Sequence, residues 1–289
     1  MAKLCAIVLD YRGASKTEAC LQSLSGQGLD TVLLVDNSND KNASAALAKA
    51  LEHLGAAPTD YSLQVLKPHT NLGFACGVNF AIAHPAAQHC DVFLLLNNDA
   101  TMAPGALKYM AAALHSGDAD LVAPAIIDDQ GKAQPQLWYQ RFFGLLTARP
   151  LPGSYAYLSG CCILFRRSLA PSGKLFDEDF FMYGEDTLLG WRLLREKKRA
   201  VVEPDAVVRH TGQGTWPDCS LFYEYQVARA HVLLAGKTWR SPLELPLLFG
   251  VKATALLARA VRRSIHYRKL TPLRAFFLAW RPLDIRKNP

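Results

Sequence analysis

Three short apolar runs constrain the fold more than any other feature of this chain: Leu4–Leu9, Thr31–Val35 and Val92–Leu96. None alternates polar with apolar residues, so each reads as a strand buried on both faces, the habit of parallel sheets covered by helices. Helical patterns over Ser15–Leu24, Ala43–Leu54 and Phe74–Ala83 separate the runs, with a further strand at Ser62–Leu66. Ser15 is expected to cap the first helix. Each of the three runs ends in a polar cluster: Asp10-Tyr11, Asp36-Asn37-Ser38 and Asn97-Asn98-Asp99. Ligands of open parallel sheets sit at the carboxyl ends of the strands, so these clusters are the first candidates for a site.

The expected fold is therefore α/β, a mostly parallel, Rossmann-like central sheet flanked by helices and followed by a basic helical appendage. A helix over Gly105–His115 and a strand over Asp120–Ile127 continue the pattern. Gln134–Pro152, with aromatic rings among basic residues, is expected to be irregular and mobile, a candidate acceptor loop. Tyr155–Phe165 is apolar, Ala200–Val208 reads as a strand, and two or three helices end the chain. No Gly-x-Gly-x-x-Gly follows the first strand, where Asp10-Tyr11-Arg12-Gly13 stands instead, which disfavours a dinucleotide-binding dehydrogenase.

Charge divides the chain. From Gly236 to Pro289 there are twelve basic residues against two acidic ones, Glu244 and Asp284, whereas residues 1–235 are mildly acidic. The division expected is a catalytic body over 1–235 and a basic amphipathic tail over 236–289. Seven cysteines, odd in number and without a C-x-x-C pair, indicate neither a disulfide framework nor a zinc site, and point to a reducing compartment. The N-terminal apolar run is too short for a secretory leader, and no stretch is long and apolar enough to span a bilayer. A cytoplasmic protein, peripheral on the cytosolic face of the inner membrane, is the expectation.

Single motifs remain ambiguous. A carboxylate at Asp99 can hold Mg²⁺ or Mn²⁺, which favour oxygen ligands and leave positions for phosphate oxygens, but a plain turn also uses Asn and Asp. Asp36 either accepts the N3–H of a pyrimidine or caps the next helix. Gly73 and Gly77, at a helix start, admit either a nucleotide or close helix-to-sheet packing. His210, after a strand, is by default structural. Phe176–Asp186 is more telling, because five carboxylates interleaved with four aromatic rings suit neither a core nor a solvated face. They suit a cleft in which one desolvated carboxylate acts as a general base.

In this order, over Leu4 to Arg229, the chain resembles inverting family 2 glycosyltransferases with the nucleotide-sugar-binding A-type fold. The motifs are Val35-Asp36-Asn37-Ser38-Asn39, Asn71-x-Gly73-Phe74-Ala75-x-Gly77-x-Asn79, Leu96-Asn97-x-Asp99, Gly160-Cys161 with Arg166-Arg167, the 176–186 segment, Trp191-Arg192, and His210 followed by Gly212 and Gly214. The resemblance implies that Asp10, Tyr11, Asp36, Asn71, Gly73, Gly77 and Asn98 bind the nucleotide. Asp99 and His210 would hold Mg²⁺ or Mn²⁺ and the diphosphate. Asp186 would be the general base and Glu185 would position the acceptor, while Gly160, Asp177, Glu178, Tyr183, Trp191 and Arg192 line the sugar and acceptor sites. Within the family the likeness is to bacterial rhamnosyltransferases of O-antigen and other surface polysaccharides, with dTDP-L-rhamnose, otherwise a UDP-sugar, as donor and a glycan or lipid-linked glycan as acceptor.

Two departures stand out. Leu188 occupies the place of a second Asp in the family's Glu-Asp-x-Asp, and Ala230 the place of Trp in the Gln-x-x-Arg-Trp of processive relatives. The second implies addition of one or a few sugars, and both together motivate an alternative, a catalytically degenerate scaffold or membrane adaptor. Gly250–Tyr267 mixes apolar residues with Lys252, Arg259, Arg262 and Arg263, and Leu273–Trp280 adds aromatic rings beside Arg274 and Arg281. Such a segment is either an interfacial helix drawn to anionic lipid or a packing helix with a solvated basic face. Nucleic acid is disfavoured, because net charge alone supports it. Oligomerisation is left open.

Overall fold

The computed structural model describes residues 3–55, 59–117, 119–212 and 219–282; Gly214 and Asp284 lie outside the described residues. Seven elements alternate as the apolar pattern predicts: β1 (Leu4–Asp10), α1 (Ala14–Leu24), β2 (Thr31–Asp36), α2 (Lys41–Gly55), β3 (Ser62–Leu66), α3 (Gly73–Ala83) and β4 (Val92–Asn97). β3, β2, β1 and β4 lie side by side and parallel. Next along the chain come β5 (Ala100–Met102), α4 (Ala106–His115) and β6 (Leu121–Ile127), and later β10 (Cys162–Arg166), α5 (Glu185–Arg195) and β11 (Ala200–His210). The sheet has eight strands in the order β3-β2-β1-β4-β10-β6-β11-β5. β10 runs antiparallel between β4 and β6, and β5 antiparallel to β11, so the sheet is mixed.

Alternate side chains of one strand feed two cores. Cys5, Ile7 and Leu9 of β1 join α3, α5 and the 169–180 segment on one face, and Ala6 and Val8 join α1, α2 and α4 on the other. Cys5 and Cys90 form a disulfide, their Cα atoms 5.9 Å apart, which corrects the expectation of none. The two residues are separated by 85 positions, so no local spacing announces the pair. Ser15 does not cap α1. Gly13 holds that place, and the Asp10 carboxylate supplies the missing acceptor, taking the Gly13 N–H at 3.2 Å and the Thr17 hydroxyl at 2.6 Å.

Gln134–Pro152 is not an irregular loop. β7 (Leu137–Gln140) and β8 (Leu145–Thr147) pair with β9 (Ser154–Tyr157) in a second, antiparallel sheet, order β8-β7-β9. Strands of three and four residues are too short to show a period of two, and the turn between them depends on Gly144 at φ +70°. Tyr139 and Tyr155 are buried beneath this sheet, ring centroids 5.7 Å apart.

The chain ends in α6 (Leu221–Lys237), α7 (Leu245–Tyr267) and α8 (Thr271–Leu278), packed around Tyr225, Ala228, Val232, Leu256, Ala260 and Phe276. Among the described residues no helix is long and apolar enough to cross a membrane. Glu224, buried, is clamped by Arg259 at 3.0 Å and Arg263 at 2.6 Å. Lys252, also buried, donates to the Tyr139 hydroxyl at 2.9 Å and the Arg141 carbonyl at 2.6 Å, and burial pushes its ammonium down to about 7. Replacing Glu224 by Gln leaves two partly buried guanidinium groups facing a neutral amide. A loss of about 2–3 kcal/mol in urea unfolding is expected, between the limits for exposed and fully buried pairs; an unchanged midpoint would show the clamp to be inert.

Candidate active site

At the C-terminal edge of the parallel strands, buried carboxylates are held by neighbouring turns. Asp10, wholly buried, accepts from Thr17, Gly13 and Asn98 through one oxygen and from the Ser38 hydroxyl through the other; burial, above all, raises its pKa. Asn98 also donates to the Thr17 hydroxyl at 2.9 Å. Asp36 accepts the Ser38 N–H at 3.3 Å and the Ser44 hydroxyl of α2. Asp40, one turn on, is what caps α2, through the Ala43 N–H at 2.9 Å. Tyr11 is half-buried, its ring 5.4 Å from the Arg12 guanidinium.

The Asn71–Asn79 motif fastens chain to chain. The Asn71 side chain accepts the Gly73 N–H at 2.9 Å. Asn37, named in the polar cluster after β2 without a role of its own, grips the same turn, accepting the Leu72 N–H at 2.8 Å and donating to the Gly73 carbonyl at 2.9 Å. Gly73 has φ +74°, and a Cβ there would strike the Phe181 carbonyl and ring; the next N–H, of Phe74, donates to that carbonyl at 2.6 Å. A Cβ on Gly77 would come 2.6 Å from the end of the Leu9 side chain, so glycine lets α3 lie close against β1 without moving that side chain. Asn79, buried, donates to the Phe176 carbonyl and the Glu178 carboxylate and accepts the Leu175 and Phe176 N–H groups. Its pairing with the acidic-aromatic segment spans about a hundred positions, and no local signal reveals it.

That segment leads into α5 through Tyr183 and Gly184, both with positive φ. Glu185 and Asp186 open the helix, where free N–H groups favour negative charge. Asp186 is half-buried, accepting the Gly160 N–H at 3.2 Å on one oxygen and the Thr187 N–H at 2.7 Å on the other. Glu185 is buried, and among the described residues its Oε2 has no hydrogen-bond partner. Burial, then the neighbouring Asp186, pushes Glu185 up to about 8. Burial also raises Asp186, against the pull of its N–H donors from Gly160 and Thr187. One neutral and one ionised carboxyl side by side near pH 7 is the arrangement in which the more accessible group serves as a base.

The Cys161 carbonyl accepts the Asn97 N–H at 2.8 Å, so the Gly160 contact sets Asp186 beside the end of β4. There Asp99 meets His210 of β11, Oδ1 to Nε2 3.1 Å. Each side chain is mostly covered yet still reaches solvent. Among the described residues no group of three or more His, Cys, Asp or Glu converges on one point. One carboxylate oxygen and one imidazole nitrogen fit Mg²⁺ or Mn²⁺ whose remaining ligands are phosphate oxygens and water, with the nitrogen suiting Mn²⁺ better.

The remaining candidates do not all gather here. Tyr183 stands beside Glu185, its ring edge-on to Tyr223, 5.7 Å between centroids, and burial pushes its hydroxyl up to about 12. Asp177 pairs with Lys237 at 2.8 Å and Glu178 with Lys174 at 2.8 Å. Trp191 is buried between Tyr155 and Arg141, and Arg192 donates to the Leu175 and Leu169 carbonyls. For these two the geometry provides packing and loop fastening.

The family profile described as Glycosyl transferase family 2 matches residues 5–172, more than half of the chain. An N-acetylglucosaminyl-diphospho-decaprenol L-rhamnosyltransferase of Mycobacterium tuberculosis is 25% identical over 297 positions, covering 89% of this chain and 94% of the relative. Mannosyltransferase PcManGT from Pyrobaculum calidifontis, solved with GDP-Man and Mn²⁺, has a TM-score of 0.58 at 18% identity over 96% of this chain and 85% of that one. S. aureus TarS 1–349, solved with UDP-GlcNAc, has a TM-score of 0.55 at 17% identity, covering 96% and 90%. At these identities the two solved structures share the fold.

The buried pair makes stability depend on pH. An acid whose pKa is raised by folding binds more protons in the native state between its unfolded value, 4.5, and about 8, so stability falls as pH rises through that window and levels off above it. Replacing Glu185 by Gln removes this loss. The melting temperature of the variant relative to the parent is expected to climb from pH 5 to pH 8, each value approximate; parallel curves would show that Glu185 titrates normally.

Proposed function

The chain belongs to glycosyl transferase family 2, and from that premise we propose that it moves one sugar, with inversion, from a nucleoside diphosphate donor to a lipid-linked saccharide in the building of a bacterial surface polysaccharide. Asp186 carries the reading: a half-buried carboxylate fixed by Gly160 and Thr187 beside a buried Glu185. As general base it takes the proton of the acceptor hydroxyl while that oxygen attacks the anomeric carbon from the face opposite the departing diphosphate. Glu185, kept protonated near neutral pH, offers a hydrogen bond to the acceptor. Asp99 and His210 would hold Mg²⁺ or Mn²⁺, which supplies positive charge to the leaving diphosphate when bound. The turns carrying Tyr11, Asp36, Asn71 and Asn98 border the nucleotide.

The donor assigned is dTDP-L-rhamnose, with a polyprenyl-diphosphate-linked N-acetylglucosamine as acceptor, supported by the name of the mycobacterial relative. Neither departure from the family pattern removes the base. Leu188 packs against the larger core, and Ala230 lies under Gly184, where an added Cβ would already come 3.0 Å from it. A Trp at 230 would displace the turn that starts α5.

Transfer from dTDP-L-rhamnose to a lipid-linked N-acetylglucosamine in the presence of Mn²⁺ is expected. Replacing Asp186 by Asn should lower kcat by about 10²-fold or more while donor affinity stays near that of the parent. Replacing Asp99 by Ala should abolish the cation-dependent part of nucleotide binding in calorimetry. Full turnover by the Asp186 variant would remove the base, and transfer from a UDP-sugar alone would replace the donor.

A further inference from the structure

We propose that the outer face of α7, extended by α8, is a docking surface for an anionic lipid bilayer, with α7 lying along the membrane plane. The inference rests on the helical appendage and stands whatever sugar is transferred. The inner ridge of α7 is Leu248, Lys252, Leu256, Ala260 and Ser264, one residue in four. The opposite side carries Leu247, Leu257, Ala258, Val261 and Ile265, all exposed, with Thr254 and Arg262 the exposed polar side chains among them. Leu247 is 57% and Ile265 73% exposed, and Leu243 in the turn before the helix is 89% exposed. Beyond the helix Leu270 and Phe277 extend the same character at 76% and 68% exposure. From Leu247 to Ile265 on the helix Leu245–Tyr267 the stripe runs about 27 Å, and contiguous exposed apolar surface of this kind marks an interaction site.

Charge identifies the occupant. From Leu245 to Pro282 the sequence contains no acidic residue. Three of its bases are turned inward, Lys252 into the core and Arg259 and Arg263 onto Glu224. Arg262, Arg268, Lys269, Arg274 and Arg281 remain exposed along the stripe and its C-terminal end. Apolar residues bordered by bases match the boundary between acyl chains and anionic headgroups. A second copy of the chain fits poorly, because a two-fold contact through this face would set the cationic border against itself. Among the described residues no helix is long and apolar enough to cross a bilayer, so the attachment proposed is interfacial.

Flotation of the full-length protein with vesicles of phosphatidylglycerol and phosphatidylcholine tests the proposal against vesicles of phosphatidylcholine alone. Binding to the anionic vesicles is expected to fall about tenfold in a Leu247→Asp, Ile265→Asp double variant and in an Arg262→Gln, Arg268→Gln, Arg274→Gln triple variant. Both variants alter exposed positions, and their melting temperature and nucleotide release in solution should match the parent. Equal flotation of parent and variants overturns the proposal. So does light scattering that finds a dimer in the parent and a monomer in the double variant, which assigns the face to a second copy. Loss of sugar transfer with flotation intact bears on the catalytic reading alone.

Discussion

The attachment of residues 175–186 to α3 determines where Glu185 and Asp186 stand. Asn79 uses both ends of its carboxamide, donating to Phe176 and Glu178 and accepting from Leu175 and Phe176. One such bond contributes about 1 kcal/mol net, but losing the acceptor strands two N–H groups that water reaches poorly, at about 1–3 kcal/mol each. Asn37 performs the same service at the other end of α3. Between them the Phe74–Phe181 backbone bond admits no side chain at Gly73. The path from the end of β2 through α3 to the Gly184 turn is thus a series of short contacts, and α5 begins where that path ends.

Placing two carboxyl groups at that point works against burial. An isolated buried carboxylate is unfavourable by several kcal/mol unless it is protonated or well supplied with donors. Asp186 receives N–H groups from Gly160 and Thr187, and Glu185 receives none through Oε2, so the proton settles on Glu185. The inequality of donors sets the protonation of two adjacent acids apart. Leu188, one turn into α5 and partly buried, packs against the apolar cluster that includes Trp191 and Leu193, so a carboxyl there would lie against apolar side chains.

Much of this was legible beforehand, for physical reasons that also mark the limits. Strands buried on both faces need unbroken apolar residues, so β1, β2 and β4 stood out, and the polar residues ending them fell where the sheet opens. β5, β7 and β8, at three or four residues, carry no usable period. The Asn71–Asn79 pattern was visible, but its work on a segment about a hundred residues away was not, since a carboxamide reads the same whether it meets a ligand or a backbone. Trp191 and Arg192 illustrate the converse. Their residue types fit a sugar site, yet on α5 they face the core and the 169–175 loop.

The appendage is less separable from the catalytic body than its charge implies. Lys237, the last residue of α6 and part of the tail, bonds both Asp177 and Asp179, and the same helix, from its start in the body, meets the site segment at Phe181–Phe222 and Tyr183–Tyr223. Arg141, in the turn after β7, reaches Glu244 at 2.7 Å before α7 and lies over the ring of Trp191. Several bases of the tail therefore hold the helices together and brace the segment that carries Glu185 and Asp186. Only the remainder faces outward. Cutting the chain at Gly236 would remove Lys237 and Glu244 along with the outer face of α7, so loss of activity in such a truncation would reflect a loosened site as readily as a lost surface. Substitutions confined to exposed positions separate the two, because the contacts that brace the site lie on the inner sides of the same helices.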